Sequence, residues 1–163
     1  MSLKSISSAA VAAVIAASFA FAAIAADAPP KPRTPAEVVK DRQANYKKIG
    51  KAFKAVRDEL GKPSPSVEVL QASGKTLDEL APQLPSWFPA GTGPEAGVKT
   101  EALPVIWTKN DDFKKAAANL ATQAHAFNVA AQSGKIDDVK AMVPKLGGAC
   151  KACHDTFKAK DEH

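Results

Sequence analysis

Both cysteines of this 163-residue chain, and one of its three histidines, fall within five residues near the C-terminal end, Cys150-Lys151-Ala152-Cys153-His154. Two thiols separated by two residues, with an imidazole directly after the second, is the attachment spacing of a c-type haem. The thiols add across two porphyrin vinyl groups, and the histidine is delivered to one axial face of the iron. On a helix, residues three apart share a face, and His154 projects beside Cys153. Three plainer readings compete. A zinc site needs two more ligands, and the other histidines, His125 and His163, form no second pair. A disulfide between residues three apart closes almost no loop and stabilises little. A thioredoxin-like redox pair belongs near the start of a βαβ unit, and no strand pattern leads into this motif. The expected cofactor is therefore one covalent haem c, held by Cys150 and Cys153 with His154 as axial iron ligand.

A flat macrocycle needs a container, and the rest of the chain supplies amphipathic helices. Thr34-Pro35-Ala36-Glu37 combines a capping box with proline at the first helical position. A first helix is expected from there to about Leu60, with Val39, Arg42, Tyr46, Ile49, Phe53, Val56 and Leu60 facing inward. Arg42 and Tyr46 stand out because they bring a charge and a hydroxyl to an otherwise apolar face.

Ser64-Pro65 restarts the helical pattern, with Val67, Leu70, Leu77, Leu80 and Leu84 on one face. Gly74 should weaken its middle and Pro82 should end it. Residues 82–104 then read as one long connection, of a length that is often functional or packed on something. Trp87 and Phe88 within it are placed either to cover a ligand or to cap the bundle core. A third helix is expected from about Pro104 to Gln132, with Phe113, Ala117, Leu120, Ala124, Phe127 and Ala131 in register. His125 neighbours this stripe and reads as a surface histidine. The fourth helix should begin near Ile136, with Pro144 kinking it or resetting its start. Gly147, Gly148 and Ala149 would leave room for the macrocycle against the backbone. Four amphipathic helices, no strand pattern and a motif in the last helix imply an all-α protein, an antiparallel four-helix bundle with a covalently bound haem in its core.

Residues 1–26 read as a secretory signal peptide. Lys4 is their only charge, an alanine-rich apolar run follows from Ala9 to Ile24, and Ala23-Ile24-Ala25 offers small residues for cleavage. The run is shorter than the roughly 20 apolar residues a spanning helix needs, so no membrane association is expected after cleavage. Residues 27–163 would form the mature domain. The formal net charge of +5 is a mild excess, with lysines interspersed among acidic residues. This argues against nucleic-acid binding and leaves steering toward an acidic redox partner open.

Beyond the leader, the chain resembles the cytochrome c′ family over nearly its whole length. The resemblance is carried by Asp41-Arg42-Gln43 with Tyr46, by Trp87-Phe88-Pro89-Ala90-Gly91-Thr92, by Pro104-Val105-Ile106-Trp107, and by Gly147 through Lys158. It implies that Arg42 binds a haem propionate, that Tyr46 stands over the distal face of the iron, and that Lys158 lies beside the proximal imidazole. It also implies that Gln43, Trp87, Phe88, Phe113 and Leu120 belong to the haem pocket. Lys158 replaces the more usual arginine, exchanging a planar guanidinium for a flexible ammonium. Pro144 stands where many members have a small residue.

In that family the distal residue separates functions. Methionine there gives six-coordinate, low-spin electron carriers; an apolar or aromatic residue gives five-coordinate, high-spin haem that binds nitric oxide or carbon monoxide. After the leader this chain has only Met142, on the haem-attachment helix. A phenol with a pKa of roughly 10 is a poor ligand when neutral. The expectation is a periplasmic, high-spin cytochrome that binds these diatomics and/or transfers electrons to a redox partner protein. The alternative is a low-spin class II electron carrier. An enzyme such as a peroxidase is disfavoured, since no distal histidine and arginine pair can be identified. A homodimer through the first two helices, common in the family, is a further expectation.

Overall fold

Thr34 starts the first helix through a reciprocal cap. Its hydroxyl accepts the Glu37 N–H, and the Glu37 carboxylate accepts the Thr34 N–H at 2.7 Å. In the computed structural model, which describes residues 32–160, this helix is α1, Pro35–Leu60. The expected signal peptide and residues 27–31 after it lie outside the described residues. Ser66 caps α2, Val67–Leu80, by accepting the Val69 N–H. A short α3, Val105–Thr108, precedes α4, Asn110–Gln132, and α5 is Ile136–Phe157. The four long helices form the bundle: α1 packs on α2, α2 on α4, and α4 on α5. No helix among the described residues is long and apolar enough to cross a membrane.

Burial follows the sequence stripes closely on α4, where Phe113, Ala117, Leu120, Ala124, Phe127 and Ala131 are all buried. Each large apolar side chain so enclosed contributes about 1.5–3 kcal/mol relative to exposure. On α1 the inward face is Val39, Arg42, Ile49, Ala52, Val56 and Glu59, with Tyr46, Phe53 and Leu60 partly buried against the core.

Several expectations need correction. Gly74, expected to weaken the middle of α2, is a point of close approach. A Cβ there would lie 3.2 Å from both the Cα of Asn128 and the Cβ of Ala131, so its bare backbone lets α2 and α4 meet. As expected, α2 itself stops at Leu80, just before Pro82, but the long connection does not begin there, because Ala81–Trp87 continues as a 3-10 helix. Its tighter turns accommodate Pro82 and Pro85, and the loop proper begins only at Phe88. The third helix is broken, since Lys109 (φ −119°, ψ 51°) leaves helical geometry between α3 and α4. There the Trp107 indole N–H donates to the carbonyls of Phe88 and Pro89, both at 3.1 Å. The Asn110 amide takes up the Ile106 carbonyl at 3.3 Å. Thus the register of α3 is tied to the preceding loop. Pro144 does not reset α5, which runs unbroken through it. The residue is exposed, so water can satisfy the carbonyl that its missing N–H would have bonded. At the end of α4, Gly134 takes a left-handed conformation (φ 72°), which turns the chain into α5.

Candidate haem site

The α5 helix presents Cys153 to the core at 7% exposure, with Cys150 one turn earlier and partly buried. Burial raises both thiols above their ordinary value. Cys153 is pushed up to about 11, by burial first and then by its neighbour Cys150. Thiols so held stay protonated at neutral pH, the opposite of the lowered thiolate a redox-active pair requires. The surrounding small residues divide their roles. A Cβ at Gly147 would lie 3.5 Å from the tip of the Phe53 ring, Gly148 faces open space, and Ala149 is part of the core. The Phe53 side chain of α1 therefore lies against the bare backbone of α5 at Gly147.

Tyr46 is the polar group that α1 sends toward these thiols. Burial, the main cause, pushes its phenol well above the ordinary value; negative charge on Cys153 or Cys150 would add to this, and Arg42 offsets part. The Tyr46 ring stands edge-on to Trp87 (5.5 Å between centroids, 84°) and to Phe88 (6.3 Å, 67°). From Phe88 the aromatic contacts continue to Phe113 at 4.8 Å and from there to Phe157, one turn beyond Cys153, at 5.4 Å. A wall of rings thus links α1, the 3-10 segment, α4 and α5.

Arg42 is 2% exposed, yet all four of its hydrogen bonds go to neutral oxygens. One terminal nitrogen donates to the carbonyl of Trp87 (3.4 Å) and the hydroxyl of Thr92 (3.3 Å). The other donates to the Thr92 carbonyl (2.9 Å) and the Thr100 hydroxyl (3.1 Å). Its carbon also sits 4.3 Å above the Phe88 ring. Burial, the main cause, lowers the guanidinium pKa, and the Glu95 carboxylate offsets part of this. A buried cation bound only to dipoles is poorly compensated and suited to receive an anion.

His154 lies exposed in the last turn of α5. Lys158 caps that turn, its N–H donating to the His154 carbonyl at 3.2 Å and its ammonium pairing with Glu101 at 3.2 Å. The structure brings Arg42, Tyr46, Trp87, Phe88, Phe113 and both cysteines into one neighbourhood. Gln43 is not among them. It lies on the exposed side of α1 and donates to the Lys99 carbonyl at 2.8 Å. Leu120 is buried in the core two turns along α4 from Phe113. His125 is exposed and pairs with Asp78 at 3.2 Å, away from the cysteines. Sequence reasoning gave Thr92 only as part of a family segment, without a role, and missed Thr100 and Glu101.

Comparison with known proteins decides the family. The model of the cytochrome C′ family matches residues 37–158. The chain belongs to the cytochrome c′ family. It is 33% identical over 126 residues to the cytochrome c′ of Pararhodospirillum photometricum, covering 77% of this chain and 98% of that relative. It superposes on the crystal structure of cytochrome c′ from Thermochromatium tepidum with a TM-score of 0.74 at 28% identity, covering 78% and 98% of the two chains. It also superposes on a nitric oxide complex of a cytochrome c prime variant from Alcaligenes xylosoxidans, with a TM-score of 0.70 at 25% identity and coverage of 78% and 98%.

The cytochrome c′ cofactor is a c-type haem, and the residues present fit it. Two thiols lie side by side on one buried helix face, an aromatic wall stands against them, and Arg42 offers a buried positive charge to a carboxylate.

Proposed function

We propose that Cys150 and Cys153 carry the haem through thioether bonds, that His154 is its proximal ligand, and that Tyr46 stands over the opposite face without ligating. In this reading Arg42 receives a propionate, and Trp87, Phe88 and Phe113 line the pocket. When bound, the haem supplies a one-electron couple and a coordination position for nitric oxide or carbon monoxide. The chain's own groups determine which use dominates. Tyr46 is the observation that carries the reading: α1 brings a neutral, partly buried phenol to the cysteine face, whereas Met142, the methionine beyond the leader, sits on α5 itself. With no thioether opposite His154, the distal position is left to exogenous ligands. The nitric oxide complex of the Alcaligenes relative supports the same use here.

The protein is thus read as a ligand-binding and electron-transferring cytochrome and not an enzyme, exported to the periplasm by its first 26 residues. Dimerisation through α1 and α2 belongs to this proposal; Val69 on α2, 39% exposed, offers apolar surface there. The attachment is tested by mass spectrometry of the Cys150→Ala, Cys153→Ala double variant, which should carry no covalent haem. Full covalent recovery would overturn it. The ligand assignment is tested by His154→Ala, for which an altered spin state and lost ligand response are expected. An unchanged spectrum at normal haem content would assign the iron to another residue.

A further inference from the structure

We propose that the outer face of α1 around Lys51 docks an acidic protein. That this partner exchanges electrons with the chain rests on the haem reading above; the docking itself does not. Lys47, Lys48 and Lys51 are exposed, and among the described residues none of them has a carboxylate at ion-pair distance. Lys48 donates to the neutral amide oxygen of Asn45 at 3.2 Å. The acids on either side are engaged elsewhere, Asp41 by Arg33 at 2.7 Å and Asp58 by Lys54. Lys40 extends the stripe by two turns, and Glu37 acts on it only through space, since that carboxylate is bonded to Thr34. The backbone of Lys99, another exposed lysine without a carboxylate partner, is tied to the same helix by the Gln43 amide at 2.8 Å.

The spacing of these lysines works against the helix that carries them. Residues three and four apart are neighbours on a helix surface, so Lys51 is flanked by like charges at Lys47, Lys48 and Lys54. The other long helices use the same spacing to pair opposite charges: Lys75 with Glu79 on α2, Lys115 with Asp112 on α4, and Lys151 with Asp155 on α5. From Lys40 to Lys51 the α1 stripe runs roughly 16 Å along the helix. Its field is complementary to a carboxylate-rich surface. The chemistry favours a protein over other polyanions. A helix that lies on an anionic membrane carries large apolar side chains beside its lysines, but the exposed large apolar residues among those described are Val69 and Val129, on α2 and α4. Nucleic acid is met with arginine forks and stacking aromatics, and this stripe is lysine without either. A second copy meeting the stripe with its own would set lysine against lysine. Only the thickness of α1 separates this face from Tyr46, which packs against the core on the inner side.

Carbodiimide cross-linking of the holoprotein to a polyglutamate peptide at low salt, mapped by mass spectrometry, reads the docking without using the iron. Cross-links should concentrate on Lys47, Lys48 and Lys51 and fade as salt rises. Lys51→Glu should weaken peptide binding about tenfold. The same change exchanges three repulsive neighbours for attractive ones, so the Tm should rise; a fall would make Lys51 a structural residue and overturn the proposal. Lys114→Glu alters net charge equally at an exposed α4 lysine without a carboxylate partner, and it should leave peptide binding near the unmodified level. Equal weakening by the two variants, or cross-links spread evenly over the exposed lysines, would show an effect of net charge alone and overturn the proposal. So would phosphatidylglycerol vesicles that bind through Lys51 more tightly than the peptide does. Since none of these readouts involves the haem, they stand if the haem reading fails, and their failure leaves that reading intact.

Discussion

Arg42 and Lys158 are joined through one short run of chain. Arg42 donates to the Thr100 hydroxyl at 3.1 Å, and the next residue, Glu101, pairs with Lys158 at 3.2 Å. One of these cations is buried on the first helix and the other caps the last, so a single loop segment ties together the two charged groups that border the proposed haem. Backbone disturbance at 99–103 should therefore be felt on both sides.

Arg42→Met tests the first of these ties. The substitution leaves the carbonyls of Trp87 and Thr92 without their donor, at a cost of about 1–3 kcal/mol for each that stays buried. Urea denaturation of the holoprotein should show that loss. Haem retention should fall as well, because the buried positive charge is gone. Stability within error of the unmodified protein would show that water or neighbouring donors replace the guanidinium.

Glu59 gives the fold a pH dependence. Its nearly buried carboxylate accepts the Lys62 ammonium and the Ser66 N–H, each at 2.6 Å, and these bonds lower its pKa from the ordinary 4.5. A depressed folded-state value means the contribution is present above the ordinary pKa and is lost as pH falls through the lowered one. Glu59→Gln should therefore lower the Tm at neutral pH, and the gap should close once the medium is more acidic than the carboxylate range. A gap that persists unchanged in acid would place the role of Glu59 in packing and not in charge.

Gly74 marks where α2 and α4 come closest, and the contact atoms include backbone that cannot swing away. Gly74→Leu should overpack the interface and cost about 1–3 kcal/mol. Thermal unfolding checks this; an unchanged or raised Tm would show that the helices separate freely.

What the sequence revealed was local and periodic. The cap at Thr34 and Glu37 involves residues three apart, and the α4 stripe repeats every three or four positions, so both could be read without knowing the fold. Glu59 and Glu101 could not. The carboxylate of Glu59 serves the start of the next helix, and the partner of Glu101 lies 57 positions away by numbering. Gly74 reads as a weak helix position because its reason is a neighbour on another helix. The break at Lys109 was hidden because the α3 residues are apolar in continuous register, while Trp107 answers to carbonyls in the loop. Within the site, Cys150, Cys153 and His154 announce themselves by spacing. The poorly compensated burial of Arg42 appears only in three dimensions.

In the proposed arrangement the Tyr46 ring would obstruct an incoming diatomic and admit it only by moving, so Tyr46→Ala should open the distal side. Carbon monoxide association by stopped flow should quicken, at a stability cost of about 3–5 kcal/mol for the lost aromatic. Tyr46→Met should act oppositely, shifting the iron toward six-coordinate, low-spin haem and slowing ligand entry. Unchanged association rates in both variants would remove Tyr46 from the distal face.

The central claim is that α1 offers the iron a neutral phenol in place of a ligand, and the electron paramagnetic resonance spectrum of the unmodified ferric protein, with the matching absorption spectra of both oxidation states, tests it most directly. The account predicts a high-spin, five-coordinate iron that binds added nitric oxide or carbon monoxide when reduced. A low-spin, six-coordinate spectrum in the resting protein would contradict it and favour an electron carrier without a gas-binding role.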